Sequence, residues 1–403
     1  MSNFPNNVNP KHSGLSRRAV VVVLSISIVL LIPLLATVWT DDNARSKWEK
    51  RNLESFPEWH GLAAINEYFD KISEFADDHI GLALEFNQIY RKILFYIFGD
   101  SPVKNITVGR SGFVYLNSHT PKRKNIVYKN LCIRGASSSH SLDVIDRVEK
   151  VFKYFASSGL NVSLGVAITK PVLYPEFLPV YIPTPLRKAC SSFRDDNFLV
   201  SIQNKMELNG GTYYYPYEMF FQQKNVEAFY PKENFHWSGR SSHVFAKGLL
   251  NQIGIEVSPA FSVGEKLTTG RSDLNPIGFE RAVNVWHYPY QSYGVSKTTV
   301  ARQMVMPYYS RIRDVSYYKT ESPMSDRKLL LLSNSFGAYV APHLAPGFKE
   351  LYHVNLNHLQ KDEYKRFFNE FINSLSITDV MFIVHDDGLI NSWGKKLIRE
   401  LNL

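Results

Sequence analysis

The sequence predicts an α/β fold, a parallel sheet flanked by helices and preceded by one N-terminal transmembrane helix. In the C-terminal third, short apolar runs that are typical of strands (328–332, 351–355 and 379–384) alternate with segments of helical spacing. Because strand–helix–strand repeats place successive strands side by side and parallel, this alternation indicates a sheet with helices on its faces. The transmembrane helix is predicted from one long uncharged run near the N-terminus.

The composition favours a folded protein with an anionic partner. The 403 residues are 44% hydrophobic and 21% charged, and the net charge is +9. A chain of this length and apolar content can bury a sizeable core. This net positive charge suits a partner such as nucleic acid, anionic lipid or an acidic polysaccharide. No basic block with interleaved aromatic residues is present, so we expect no nucleic-acid partner.

The uncharged run is Ala19–Trp39. At about 21 residues it is long enough to span a bilayer. Lys11, Arg17 and Arg18 precede it, and the first acidic residue after it is Asp41. The positive-inside rule then places the N-terminus in the cytoplasm and the rest of the chain outside it. A cleaved signal peptide is the alternative, although the run is longer than a usual signal core and lacks a clear small-x-small cleavage site.

The domain organisation follows from this run and from the change in pattern near residue 100. We predict a cytoplasmic tail (1–18), a transmembrane anchor (19–39), a juxtamembrane linker with a helical segment (40–100), and an α/β domain (101–403). Within the last, residues 258–325 are rich in Tyr, Arg, Gly and Pro, which is typical of a substrate-facing insertion.

The chain has two cysteines, Cys132 and Cys190. In an exported domain they could form a disulfide, and otherwise they are two unpaired thiols. The sequence does not decide between these states.

Ser335 and His236 are the candidate catalytic residues. Ser335 follows the apolar run 328–332 and begins a helix-like segment, at the sheet edge where α/β proteins bind ligands. A serine hydroxyl needs a base to become a nucleophile, and His236 is the best candidate. Taken separately, Ser335 is more typical of a helix N-cap or turn serine, and His236 is more typical of a packing or capping residue.

Two motifs around these residues resemble a known family. "NFHW" (234–237) and "SNSF" (333–336) are similar to the D-x-H-W and G-D/N-S-F blocks of the SGNH-hydrolase-like polysaccharide O-acetyltransferases of the alginate acetyltransferase (AlgJ/AlgX-like) type, and they occur in the same order. Further similar segments are Glu49–Glu58, Asp77–Pro102, Val108–Leu116, the Pro-rich loop Thr169–Pro179 and "RSDL" (Arg271–Leu274). The resemblance spans about 49–385.

The resemblance implies an SGNH-like fold and acetyl transfer through an acyl-serine at Ser335, with His236 as base. It also implies an exopolysaccharide or cell-wall glycan as acceptor, as in alginate biosynthesis. The acetyl group would come from an integral-membrane O-acyltransferase partner. The expected location is the bacterial inner membrane, with a single pass and the catalytic domain in the periplasm.

This chain departs from the family pattern at the histidine block, where Asn234 replaces the usual aspartate. We predict that Asn234 orients the His236 ring, although an amide provides no compensating charge. In a second departure, Ala83 replaces an arginine. These differences leave two alternatives to the transferase: a carbohydrate acetylesterase of the same fold, and a catalytically weak glycan-binding or scaffold subunit of a secretion complex.

Other candidate residues concern the substrate. Arg271, Arg281 and Arg302, together with Tyr174 of the Pro-rich loop, are predicted to bind an anionic sugar polymer, because guanidinium groups pair with carboxylates and aromatic faces stack on sugar rings. The arginines would otherwise form an ordinary solvated basic surface. His385, beside Asp386 and Asp387, is a weaker candidate for a histidine–carboxylate pair facing Ser335.

No His or Cys spacing typical of metal sites is present, so we expect neither a metal nor a cofactor.

Overall fold

The structure is a computed structural model. It describes residues 16–37, 52–103, 105–117, 125–134, 138–192, 197–206, 211–225, 229–237, 239–258, 272–274, 291, 294–298, 315–358 and 364–403.

The helices and strands alternate over much of the chain. The helices are α1 Arg17–Ala36, α2 Ile65–His79, α3 Ala83–Tyr96, α4 Ile126–Tyr128, α5 Ser138–Ala156, α6 Lys170–Leu173, α7 Thr184–Ser191, α8 Phe198–Met206, α9 Tyr217–Gln223, α10 Gly239–Gln252, α11 Ser335–Leu344, α12 Tyr364–Leu375, α13 Asp386–Asn391 and α14 Lys395–Leu401. The strands are β1 Ile106–Val108, β2 Val114–Leu116, β3 Asn161–Ala167, β4 Thr212–Tyr214, β5 Val295–Thr298, β6 Val315–Thr320, β7 Lys328–Ser333, β8 Glu350–Asn355 and β9 Asp379–His385.

The main sheet has seven strands in the order β4-β3-β9-β7-β8-β6-β5, and β1 and β2 form a separate antiparallel pair. Strands β4, β3, β9, β7 and β8 are parallel, as predicted. The prediction of an entirely parallel sheet is wrong, because β6 and β5 add an antiparallel edge. The chain reverses direction between β6 and β7 over residues 321–327, a link too short for a parallel crossover.

The two faces of the sheet pack against different helices. On β9, Phe382 points to one face, where its ring lies 5.6 Å from that of Phe155 on α5. On the neighbouring strand, Gly165 faces the other side, where an added Cβ would lie 2.8 Å from the Phe245 ring of α10. Because strand side chains alternate, one run of residues builds both interfaces. The predicted α/β arrangement of a sheet between helices is confirmed.

The chain divides into two compact units, Met1–Ile93 and Leu94–Leu403, and the sheet belongs to the second. In the first unit, α1 (Arg17–Ala36) overlaps most of the stretch 19–39 that was predicted to anchor the chain. Among the helices of the described residues, none combines the length and apolar character needed to cross a membrane. The anchor at 19–39 and the predicted domain boundaries stay predictions.

A disulfide joins Cys132, in the π-helical turn Lys129–Ile133, to Cys190 in α7. Both residues are buried, and their Cα atoms are 4.6 Å apart. The bridge closes a loop of sequence separation 58. The sequence left a bridge and two free thiols as alternatives, and the structure has the bridge.

We expect replacement of both cysteines by alanine to lower the free energy of unfolding by about 2–4 kcal/mol, because the cross-link restricts the unfolded chain. Denaturant titration measures the difference. Dithiothreitol should destabilise the wild type by a similar amount and leave the double variant unchanged. A double variant as stable as the oxidised wild type would contradict a structural role for the bridge.

Candidate active site

Ser335 lies at the carboxyl edge of the sheet, as the first residue of α11 and two residues after β7 ends. Asn334 is the N-cap of this helix, and its side-chain oxygen accepts a hydrogen bond from the Phe336 amide at 3.0 Å. Capping residues stabilise helix starts, and amides in the first turn have no acceptor within the helix. The Ser335 hydroxyl is therefore held at a helix start that is suited to binding a developing negative charge.

The close packing of α11 on β7 requires a glycine. A Cβ at Gly337 would collide with the side chain of Ser333 at the end of β7. Ser333 also shares a hydrogen bond of 2.7 Å with the buried His353 on β8. The small residue after "SNSF" thus lets the helix start approach the strand, and this approach fixes the position of Ser335.

His236 precedes Ser335 by 99 residues in the sequence, and its side chain contacts Ser335 in the fold. Its Nε2 lies 2.7 Å from the Ser335 Oγ, within the reach expected of a general base. The side chain of His236 is 16% exposed, so the pair is accessible from solvent. The structure thus brings together the two residues predicted to form the catalytic pair.

Asp273 occupies the other side of the imidazole. Its Oδ2 lies 2.5 Å from the His236 Nδ1 and accepts the His236 backbone amide at 3.0 Å. Its Oδ1 accepts the Phe235 amide at 2.6 Å. The carboxylate thus selects the tautomer with the proton on Nδ1, which leaves Nε2 to accept the Ser335 proton.

This geometry corrects the sequence prediction for Asn234. The Nδ1 partner is Asp273, from the "RSDL" segment, and not Asn234. The Asn234 side-chain oxygen instead accepts the backbone amide of Asp273 at 3.3 Å, while the Ser272 hydroxyl donates to the Glu233 carbonyl at 2.5 Å. Asn234 therefore belongs to the contact that holds the carboxylate, and the charge that its amide lacks is provided by Asp273.

The hydrogen bonds also determine the charge of Asp273. Burial raises the pKa of its carboxyl group, but bonds from the His236 ring and backbone and from the Phe235 amide outweigh this effect and hold the pKa below its ordinary value. Asp273 is therefore ionised at neutral pH. It can stabilise the imidazolium that forms when His236 takes a proton.

Aromatic rings hold the imidazole plane. Tyr339, one helical turn after Ser335, stacks on His236 with a centroid distance of 4.9 Å and an interplanar angle of 21°. The Phe336 ring lies 4.8 Å away and is tilted. Since α11 carries both of these rings and Ser335, one rigid helix positions the nucleophile and the ring of its base.

Lys170 holds the segment that leads to His236. This lysine is 1% exposed, and its Nζ donates to the carbonyls of Val114, Pro231 and Lys232 at 3.0, 3.0 and 2.9 Å. Three acceptors match the three donors of an ammonium group. Burial lowers the pKa of Lys170 to about 7, whereas the negative charges of Asp273 and Glu233 raise it. The buried amine thus ties β2 to the loop before the histidine.

The structure does not support a substrate-binding role for Tyr174. Tyr174 is 4% exposed, and its ring packs against Phe113 and Phe177 with centroid distances of 5.2 and 6.4 Å. A sugar cannot stack on a ring that is covered in this way, so the prediction for Tyr174 is wrong. Arg271, Arg281 and Arg302 lie outside the described residues.

His385 does not pair with a neighbouring carboxylate. Its Nδ1 accepts the Gly388 amide at 2.9 Å as the N-cap of α13, and Asp386 accepts the Thr169 amide at 3.0 Å. Burial lowers the pKa of His385 to about 4, so the ring is a neutral acceptor near pH 7. Within the part of the chain that the structure describes, no group of three or more His, Cys, Asp and Glu could hold a metal ion.

The arrangement has the parts of a Ser–His–Asp triad: a nucleophile, a base in contact with it, and an anion that orients the base. The Ser335 amide at the start of α11 can donate to an oxyanion. Such a site is suited to acyl transfer through an ester of Ser335.

Three residues of the site were not identified from the sequence: Asp273, Lys170 and Tyr339. The spacing of four residues from Ser335 would have placed Tyr339 on the same helix face. Lys170 lies in the quoted Pro-rich loop, and Asp273 in the quoted "RSDL" segment, but neither segment carries a signal that relates it to His236.

Comparison with solved structures identifies chains similar to this one. A DHHW family protein from Eubacterium siraeum aligns over 64% of this chain and 88% of its own, at 19% identity and a TM-score of 0.46. Bacillus cereus PatB1 with a sulfonyl adduct covers 72% and 99%, at 16% identity and a TM-score of 0.46. The O-acetyltransferase domain of Pseudomonas putida AlgJ covers 74% and 99%, at 12% identity and a TM-score of 0.40.

No protein-family model matches the sequence, and no curated protein matches it.

Two substitutions should distinguish the role of Asp273 from that of Asn234. We expect Asp273→Asn to lower kcat for ester hydrolysis about 10³–10⁴-fold, because the charge that stabilises the imidazolium is lost. Asn234→Ala removes one neutral hydrogen bond, of about 1 kcal/mol, and should cost tenfold or less. Steady-state kinetics with p-nitrophenyl acetate measure both. Equal losses in the two variants would contradict the assignment of Asp273.

Removing the buried Lys170 amine should displace His236. We expect Lys170→Met to lower kcat about 10–100-fold with little change in KM, because small displacements of a catalytic group are costly. Lys224→Met is the matched control, since Lys224 is also largely buried but bonds to the Leu173 carbonyl and Glu176.

Both lysine variants should lose unfolding free energy, measured by denaturant titration, while only Lys170→Met loses kcat. Equal kcat values in the two variants would contradict the positioning role of Lys170.

Proposed function

We propose that this protein is an O-acetyltransferase that carries an acetyl group on Ser335 and transfers it to a hydroxyl group of a polysaccharide. The observation that carries the proposal is the position of the His236 ring, 2.7 Å from the Ser335 Oγ on one side and 2.5 Å from the Asp273 carboxylate on the other. The motif resemblance supports the same reaction.

In the first step, the Ser335 Oγ attacks the carbonyl carbon of an acetyl donor while the His236 Nε2 takes its proton. The Ser335 amide donates to the oxyanion of the tetrahedral intermediate, and Asp273 stabilises the imidazolium. The intermediate collapses as the imidazolium returns its proton to the leaving group. The product is an acetyl ester of Ser335.

In the second step, a sugar hydroxyl attacks the acetyl-serine, and His236 takes the hydroxyl proton. When this second intermediate collapses, the imidazolium returns the proton to the Ser335 Oγ. The acetylated sugar leaves and the starting site is restored. Water in place of the sugar gives an acetylesterase, which uses the same residues.

The presence of Asp273 weakens the alternative of a non-catalytic scaffold. That alternative depended on Asn234 as a substitute for the missing carboxylate, and the site contains a carboxylate from elsewhere in the chain.

The proposal also includes the location of the protein in the cell. It places the protein at the bacterial inner membrane, anchored by residues 19–39, with the sheet domain in the periplasm and an integral-membrane O-acyltransferase supplying acetyl groups. The uncharged run Ala19–Trp39 supports anchoring. The disulfide between Cys132 and Cys190 supports an oxidising compartment.

Ester hydrolysis and transfer test the reaction separately. We expect the purified chain to release p-nitrophenol from p-nitrophenyl acetate, and Ser335→Ala to lose about 10³-fold or more of this rate. Ser374→Ala, at an exposed serine of α12, is the control. With oligosaccharides added, mass spectrometry should detect acetylated sugar. Ser335→Ala as fast as wild type would contradict the enzyme, and acetate without acetylated sugar would favour the esterase.

A further inference from the structure

A cavity of about 380 Å³ lies at the carboxyl edge of the sheet, beside Ser335. Its wall includes Asn334, the residue before Ser335, and His385, whose ring lies 5.5 Å from that of Phe336, the residue after Ser335. The cavity thus borders the residue that precedes the nucleophile, whereas Phe336 is not among its described lining residues. Its volume is within the range of about 300–1,000 Å³ that is usual for small-ligand sites.

The cavity is built from the ends of three adjacent strands. Asn334 follows β7, Asn357 follows β8, and His385 ends β9, and residues of α13 and α14 also line the cavity. Ligands in α/β proteins bind where parallel strands end. The position is therefore that of a substrate site, and none of the triad residues lines it.

Part of the wall consists of amide and carboxylate groups that form hydrogen bonds. Asn357 and Asn391 contribute amide groups, and the Asn391 amide donates to the Asp387 carboxylate at 2.6 Å. Both groups pair well with the hydroxyl groups of a sugar, because an amide can donate and accept and a carboxylate can accept.

Two aromatic residues complete the wall. Trp393 is 7% exposed, and its Nε1 has no hydrogen-bond partner among the described residues. Tyr364 lies beneath Lys396, whose Nζ is 4.9 Å from the ring centroid.

The charges in the wall favour a neutral ligand. Burial lowers the pKa of His385 to about 4 and raises that of Asp387 to about 6, so near pH 7 the ring is neutral and the carboxylate is mostly charged. Lys396 is the one basic side chain among the described lining residues. In this wall the positive charge of Lys396 is offset by the Asp387 carboxylate, so the lining offers no net positive charge to an anionic sugar. Arg134, which donates to Asn391 at 3.4 Å and acts on the Asp387 carboxylate, is not among the lining residues.

We propose that this cavity binds an uncharged, hydroxylated sugar ring of the acceptor polysaccharide next to Ser335. The inference rests on the proposed function and deepens it, because it assigns the acceptor to neutral rather than uronate polymers.

Binding to a variant that cannot turn over tests the site. We would titrate Ser335→Ala by calorimetry with cellopentaose and chitopentaose as neutral probes and with pentagalacturonate as an anionic probe. A neutral probe should bind at least tenfold more tightly than pentagalacturonate. Failure of both neutral probes to bind, or tighter binding of pentagalacturonate, would overturn the proposal.

Substitutions that fill the cavity test whether the neutral probe binds there. Asn357→Trp and Ser392→Trp, added separately to Ser335→Ala, place bulk at two exposed positions of the wall. Each should weaken binding of the neutral probe tenfold or more, and Asn373→Trp, at an exposed asparagine of α12, should not. Two positions are substituted separately so that the test can still be read if one variant does not fold. Unchanged affinity in a folded cavity variant, or equal weakening by Asn373→Trp, would overturn the proposal.

The two proposals fail in different ways. If ester hydrolysis depends on Ser335 but the cavity variants bind sugar like the control, the cavity assignment is wrong and the acetyl-transfer proposal stands. If Ser335→Ala hydrolyses the ester as fast as wild type, the acetyl-transfer proposal is wrong whatever the binding result.

Discussion

The contact between Asp273 and His236 is the interaction on which the site depends. One carboxylate bonds both the ring and the backbone of the histidine and also the preceding amide. It therefore fixes the tautomer, the ring direction and the path of the chain at the same time. With Nδ1 occupied in this way, Nε2 is directed at Ser335, and a weak hydroxyl nucleophile acquires a base.

The rest of the domain holds this contact at one edge of the sheet. Strand β7 and helix α11 place Ser335 and the rings of Phe336 and Tyr339, so that the nucleophile and the packing around its base move as one unit. Lys170 ties the incoming loop to β2, because its Nζ donates to the carbonyls of Pro231 and Lys232 on the loop and of Val114 on the strand. Catalytic geometry of this kind requires a rigid frame, because the reactive atoms must stay within hydrogen-bond distance.

The sequence predicted the parts of this structure that depend on local pattern. The alternation of strands and helices indicated the sheet, and the position of Ser335 after β7 followed from the apolar run before it. The antiparallel edge of β5 and β6 was not predicted, because it emerges from a segment without regular periodicity. Asp273 was missed for a similar reason: a carboxylate 37 residues from its histidine leaves no spacing signal, and Asn234 occupied the position where the resemblance led us to expect it.

The most direct test of the triad is proton NMR of the His236 ring. A proton shared between Nδ1 and a carboxylate resonates far downfield of ordinary amide protons. We expect such a resonance in the wild type and in Ser335→Ala, and its loss in both His236→Ala and Asp273→Asn. A spectrum without it under conditions of slow solvent exchange, or one unchanged in Asp273→Asn, would contradict the assignment of Asp273 as the partner of His236.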